Sequence, residues 1–202
     1  CICLEFLNNS EPICLFGTAD LARFDAALEF RFKPDKTWDT ADPEDKAAVQ
    51  RLWQWIYACK GNPTKFQAEY QGYFINEAPF AWFLITDYFM GVDNRVKNMM
   101  LVTWDGIHWM FIPYDMDTLF GLRNDSYLKY DYTITHETFD ESIGSYAFAG
   151  HDSILWELVR ACPDKLREVA ETIRSNMSLE YVLQMFNEQE MGNWCERIYN
   201  KD

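Results

Sequence analysis

The sequence predicts an α+β fold: a small N-terminal sheet and a β-hairpin packed among helices. Three observations lead there. The opening segments alternate apolar and polar residues, the middle and end of the chain carry apolar residues at helical spacing, and one Asp-Gly pair separates two β-rich runs.

Residues 1 to 33 read as a small sheet region. ICLEFL, PICLF and ALEFRF are strand-like runs, punctuated by turn chemistry at Asn8-Asn9-Ser10 and Gly17. Residues 34 to 202 then read as a helical lobe. After a polar loop from Pro34, Asp42 as N-cap and Pro43 in the first turn start a helix that runs to Cys59. Its expected apolar stripe is Val49, Leu52, Trp53, Ile56 and Tyr57. Gly61-Asn62-Pro63 stops it, Thr64 caps a second helix over residues 66 to 73, and a third follows from Phe80 to Met90. Trp53, Trp82, Phe83 and Trp156 sit at helical spacing and read as core. The hairpin is predicted over 98 to 112, two strands joined by a two-residue Asp105-Gly106 turn. Residues 123 to 150 lack a period and read as an insertion or lid. Helices return over 153 to 162, 164 to 175 and from Ser178 toward Phe186, with room for another at the end.

The 202 residues are 49% apolar and 17% aromatic, enough to bury a core without covalent staples. A net charge of −14 leaves no basic face, which argues against nucleic acid as a partner. No apolar run reaches the roughly 18 residues that a membrane span needs, and CICLEFLNNS lacks the features of a signal peptide. The start at Cys1, with no Met, leads to the expectation that this is a piece of a longer chain. Six scattered cysteines without CxxC spacing read as reduced core thiols, with a disulfide to Cys14 as the alternative. His108, His136 and His151 form no set.

The chemistry gathers around the hairpin. Before it stands Gly91-Val-Asp93-Asn-Arg95-Val-Lys97-Asn98, and after it Pro113-Tyr114-Asp115-Met-Asp117-Thr-Leu-Phe-Gly121. A hairpin returns its second strand beside its first, so Asn98 and Asp115 are expected to face each other across about 4.8 Å of strand spacing. Phosphoryl transfer from a nucleotide requires divalent ions held by oxygen ligands and a carboxylate aimed at the accepting hydroxyl. Protein kinases meet this with an Asp, a basic residue two positions on, an Asn five positions on, a hairpin and a second Asp. Asp93, Arg95, Asn98 and Asp115 stand at those offsets. Asp93 is thus the candidate for orienting or deprotonating the acceptor and Arg95 for steadying the phosphoryl group. Asn98 and Asp115, with Asp117, are the candidate ligands of Mg or Mn. Glu29 and Arg31, alternating in ALEFRF, are candidates for the nucleotide-facing position, against the plainer reading of a sheet-edge ion pair.

Asp93, Asn98, Tyr114, Asp115 and Asp117 resemble the CotH family of atypical protein kinases, which carry an Asp-x-x-x-x-Asn loop, a hairpin and a Trp/Tyr-Asp-x-Asp end. The resemblance covers roughly a fifth of the chain. It implies a fold like the C-terminal lobe of a CotH-type kinase, ATP with Mg or Mn as cofactors, and a protein acceptor. Like that family, and unlike ordinary kinases, the chain has no His-Arg before the Asp, no Asp-Phe-Gly and no glycine-rich loop. A second resemblance, carried by LEFRF, VDNRVKNMM, TWDG, PYDMDT, HDSILW and NWCERIYN, is to a domain of large virion or tail-associated proteins of tailed bacteriophages. It implies a virion location among other virion proteins, with the bacterial cytoplasm or a cell or spore surface as alternatives.

Other readings stand beside these. Asp93 to Asn98 fits a simple helix-to-strand connection, and Asp115-x-Asp117 fits a calcium loop or a strand end. The whole chain fits a structural or host-contact virion module with a cation-stabilised acidic loop. A carboxylate-pair hydrolase using Asp93 and Asp115 needs its carboxyls about 5 to 9 Å apart, where metal ligands converge.

Overall fold

The first strand, β1 (Ile2–Phe6), lies inside a four-stranded sheet of order β2-β1-β3-β4, where β2 is Leu28–Phe30, β3 Met99–Thr103 and β4 Met110–Pro113. All neighbours are antiparallel. The N-terminal strands and the hairpin, which look like two separate features in the sequence, therefore form one sheet. This computed structural model describes residues 1 to 6, 28 to 30, 36 to 89, 91, 94, 99 to 116, 119 and 154 to 188. The expected strand PICLF, Cys14, the 123 to 150 insertion, His136, His151 and Cys195 lie outside them.

The ladder explains how the sheet meets the helices. Leu4 is opposite Leu101, and Leu101 is opposite Phe111, so these three share one face. All are buried. Phe111 stacks on Phe74 and Trp82, with ring centroids 5.9 and 5.5 Å away, and touches Trp156 at 5.5 Å. Those rings come from the segment before helix α3 (Ala78–Tyr88), from α3 itself and from α4 (Ile154–Arg160). Trp53, Trp82, Phe83 and Trp156 are all buried, as their spacing implies.

The hairpin connection departs from expectation. A two-residue Asp105-Gly106 turn would pair Trp104 with Ile107, but Val102 pairs with Met110 and Leu101 with Phe111, one residue out of that register. The two-residue turn is therefore incorrect, and packing is the reason. A one-residue slip would carry Phe111 to the other face of the sheet, forfeiting about 1.5 to 3 kcal/mol of burial together with its ring contacts. A longer loop is closed by side chains instead. Asp105 Oδ1 accepts from the backbone N–H groups of Ile107 and His108, each at 2.8 Å, and from Thr103 Oγ1 at 3.1 Å, while Gly106 N donates to Thr103 Oγ1. Gly106 takes the left-handed conformation this loop requires, with φ of 73°.

Helix α1 (Pro43–Ala58) starts at the expected proline. Asp42 precedes it without a side-chain cap bond and pairs with Lys36 at 3.3 Å. Val49, Leu52, Trp53 and Ile56 are buried as expected, but Tyr57 is 45% exposed and Trp55 takes its place in the interior. Trp55 is held by contacts outside its own helix. Its ring stacks on Tyr73 at 4.0 Å, and its Nε1 donates to Glu69 Oε2 at 2.9 Å. Helix α2 (Pro63–Glu69) is capped by Asn62, whose side chain accepts from Lys65 N, rather than by Thr64, and gives way to a 3-10 turn at Tyr70–Gly72. Beyond it, Trp109 exchanges backbone bonds with Tyr73 and Ile75, so this segment covers the outer side of the hairpin.

By contact, the chain divides into two compact units, Cys1–Leu166 and Arg167–Asp202. Helix α5 (Pro163–Asn176) crosses the division, and α6 (Leu179–Glu188) belongs to the second unit, where Leu179, Tyr181, Leu183 and Met185 are exposed. Cys1, Cys3, Cys59 and Cys162 are free thiols, and all but Cys1 are buried. No helix among the described residues is long and apolar enough to cross a membrane.

Candidate functional site

The site is built from the end of α3 and the exit of β4. Near the end of α3, Thr86 Oγ1 donates back to the Trp82 and Phe83 carbonyls at 2.8 and 3.1 Å, and Gly91 N closes onto the Thr86 carbonyl at 2.7 Å. Asn94 N then donates to the Gly91 carbonyl at 3.1 Å, which draws these two residues together. Trp82 Nε1, buried in the helix interface, donates to the Asn94 carbonyl at 2.9 Å. Asn94 is thereby fastened to the core.

From here the Asn94 side chain reaches across to the segment after β4. It is 0% exposed, and its Nδ2 donates to the Tyr114 carbonyl at 3.1 Å, a bond spanning twenty residues of sequence. A second contact lies just downstream. A methyl group placed on Gly91 would stand 3.0 Å from Leu119 Cδ2 and 3.1 Å from Asn94 Oδ1, so glycine permits this close approach. Tyr114 and Leu119 are therefore both held against the pair Gly91 and Asn94.

Asp115 is exposed and adopts φ of 50°, the left-handed region, which Asp and Asn enter far more readily than other side chains. It stands two residues beyond the last strand pair, Met99 with Pro113, rather than at the strand end. Asp93, Arg95, Lys97, Asn98, Asp117 and Arg31 lie outside the described residues, so the expected facing of Asn98 and Asp115 does too. Of Glu29 the backbone is described. It lies opposite Glu5, Glu5 opposite Met100, and Met100 opposite Ile112. That row sets Glu29 at the same end of the sheet as the hairpin's feet, three strand spacings or about 14 Å from β4.

No family model, curated protein or solved structure matches the chain. Among the described residues, no group of three or more His, Cys, Asp or Glu side chains could hold a metal ion.

Two features escaped the sequence reading. Asn94 looks like an ordinary loop Asn, and only its complete burial marks it. Glu5, in the central strand, is buried beside Met100 in the row that contains Glu29. Its position in an apolar run was the available signal.

Elsewhere, an open groove of about 490 Å³ runs along α1 and α2, lined by Gln50, Arg51, Gln54, Lys65, Glu69 and Tyr73. Two of its charged side chains are engaged. The Arg51 guanidinium lies 4.3 Å over the Tyr73 ring and donates to the Ile107 and Gly72 carbonyls, each at 2.9 Å, while Glu69 is taken by Trp55. At the hairpin tip, Asp105 Oδ2 lies 2.7 Å from His108 Nδ1, so His108 is part of a structural clasp. The His108 side chain and the backbone N–H groups of His108 and Ile107 hold the Asp105 carboxyl far below the usual carboxylate range.

Proposed function

We propose that this chain carries a phosphoryl-transfer site of the CotH-like kind, on a fold resembling the C-terminal lobe of those kinases, within a virion protein of tailed bacteriophages. The observation that carries the reading is the buried Asn94 bond to the Tyr114 carbonyl. It draws together the two sequence segments whose residues match the kinase offsets, as such a site requires.

In this reading Asp93 accepts the hydrogen bond, and then the proton, of the acceptor hydroxyl, and Arg95 offsets charge on the transferring group. Asp115 fits an ion-holding role in part: it is an exposed carboxylate with oxygen ligands for a hard cation, in a segment fastened on both sides. Asn98 and Asp117 would complete the set, and Glu29 and Arg31 would face the nucleotide. Bound Mg or Mn would supply neutralisation of the phosphate charge. A structural virion module with a cation-stabilised acidic loop is the second reading. It takes the Asn94 bond to the Tyr114 carbonyl as a tie that holds the same loop in the fold.

The test uses the full protein with γ-labelled ATP, Mg²⁺ or Mn²⁺ and candidate virion or host protein acceptors. Asp93→Asn keeps shape and hydrogen-bonding reach while removing the base, so transfer should fall at least about a hundredfold while nucleotide affinity changes little. Absence of both label and nucleotide binding in the parent protein would defeat the enzyme reading and favour the structural one.

A further inference from the structure

We infer that Asn94 is the positioning residue for Asp115: through the Tyr114 carbonyl, it holds Asp115 in the left-handed conformation that aims its carboxylate. The functional consequence rests on the phosphoryl-transfer reading above, whereas the conformational claim stands without it.

The argument is one of peptide planes. The carbonyl that Asn94 binds belongs to the peptide joining Tyr114 to Asp115, and φ of Asp115 is the rotation that relates this plane to the Asp115 side chain. Anchoring the carbonyl fixes the plane. The following residue then points its side chain differently from a continued strand, since φ is 50° instead of a negative β value. Asp enters the left-handed region more readily than most residues, yet a single fixed conformation there still depends on what holds it. Here the surroundings are named. Upstream, Pro113 ends β4 in register with Met99; downstream, Leu119 packs at Gly91; between them, the Asn94 amide supplies the directional bond.

The anchor is itself rigid. Asn94 receives the Trp82 indole N–H on its carbonyl and donates its own N–H to Gly91, so backbone and side chain are both committed. Being fully buried, Asn94 is out of reach of a hydrated ion and acts only through Asp115. The arrangement matches the supporting bonds behind metal ligands, whose loss weakens metal binding without removing any ligand.

Two readouts on the same proteins test this. Mn²⁺ alone is titrated by the loss of its free electron-spin-resonance signal, and the Asp115 conformation is read from its intraresidue amide-to-α-proton NOE, which is strong at positive φ. In the parent chain the NOE should be strong and Asp115→Asn should abolish Mn²⁺ binding. Asn94→Ala should weaken Mn²⁺ binding about ten- to a hundredfold and also reduce the Asp115 NOE, with the remaining spectrum well dispersed. Should Asn94→Ala fail to fold, Asn94→Ser removes the same amide donor from a smaller cavity and is read in the same two ways. If the parent chain binds no Mn²⁺, the metal role in the proposed function fails, and the NOE alone decides the inference. A strong Asp115 NOE that survives loss of the Asn94 amide overturns it, whatever happens to the metal.

Discussion

Replacing Arg51 by lysine should destabilise the protein even though charge is conserved. The guanidinium makes three contacts at once: bonds of 2.9 Å to the Ile107 and Gly72 carbonyls, and a cation-π contact of 4.3 Å with Tyr73. Both bonds lie where solvent reaches them, so each contributes about 0.5 to 1 kcal/mol, below the value for a buried charged bond. The ring contact adds about 0.5 kcal/mol. Arg51→Ala should therefore cost about 2 kcal/mol. A lysine ammonium can reach one carbonyl at a time and lacks the planar fork, so Arg51→Lys should cost about 1 kcal/mol. With a urea slope of about 2 kcal/mol per molar, the unfolding midpoints should fall by about 1 M and about 0.5 M. Hydrogen exchange at Ile107 and His108 should speed up in both variants, because Arg51 ties the hairpin loop to α1. An Arg51→Lys midpoint equal to the parent's would refute the two-carbonyl fork.

Asp105 gives a pH dependence with a definite sign. Its folded carboxyl is held below its unfolded value of about 3.9, so its contribution is fully present well above that pH and declines as the pH falls toward the folded value. The urea midpoints of the parent and Asp105→Asn should therefore be well separated at about pH 7 and converge below about pH 4. A constant separation down to about pH 2.5 would contradict the assignment. Phe111→Ala, which removes a ring packed against three others, should cost about 3 to 5 kcal/mol in urea unfolding. A loss below about 1.5 kcal/mol would mean that the turn rather than Phe111 sets the hairpin register.

What could be read from the sequence was what short-range chemistry determines. Asp42-Pro43 marks the start of α1 because proline suits a first helical turn, and the apolar runs about Asp105-Gly106 mark two strands. Where the reading failed, a distant partner decided. Trp55 is buried because Tyr73 and Glu69 receive it, and the hairpin slips by one residue because Phe111 needs the aromatic cluster of α3 and α4. The pairing of β1 with β3 has no local signal at all. Of the candidate site, the residue types and offsets were visible, while the tie that joins the two segments was not. Asparagine is common in loops for its own turn-forming reasons, so Asn94 carried no mark of its burial.

The sheet order also governs how the protein must be made. β1 sits between two strands, and its partner β3 is translated roughly a hundred residues after it. At a synthesis rate of about 5 to 20 residues per second, β1 waits about 5 to 20 s with one edge unpaired. An apolar strand exposed that long is an aggregation hazard, so slowing translation between residues 30 and 99 should raise the misfolded fraction. Removing residues 1 to 6 would take out an inner member of the sheet and, among the described strands, the one that β2 pairs with.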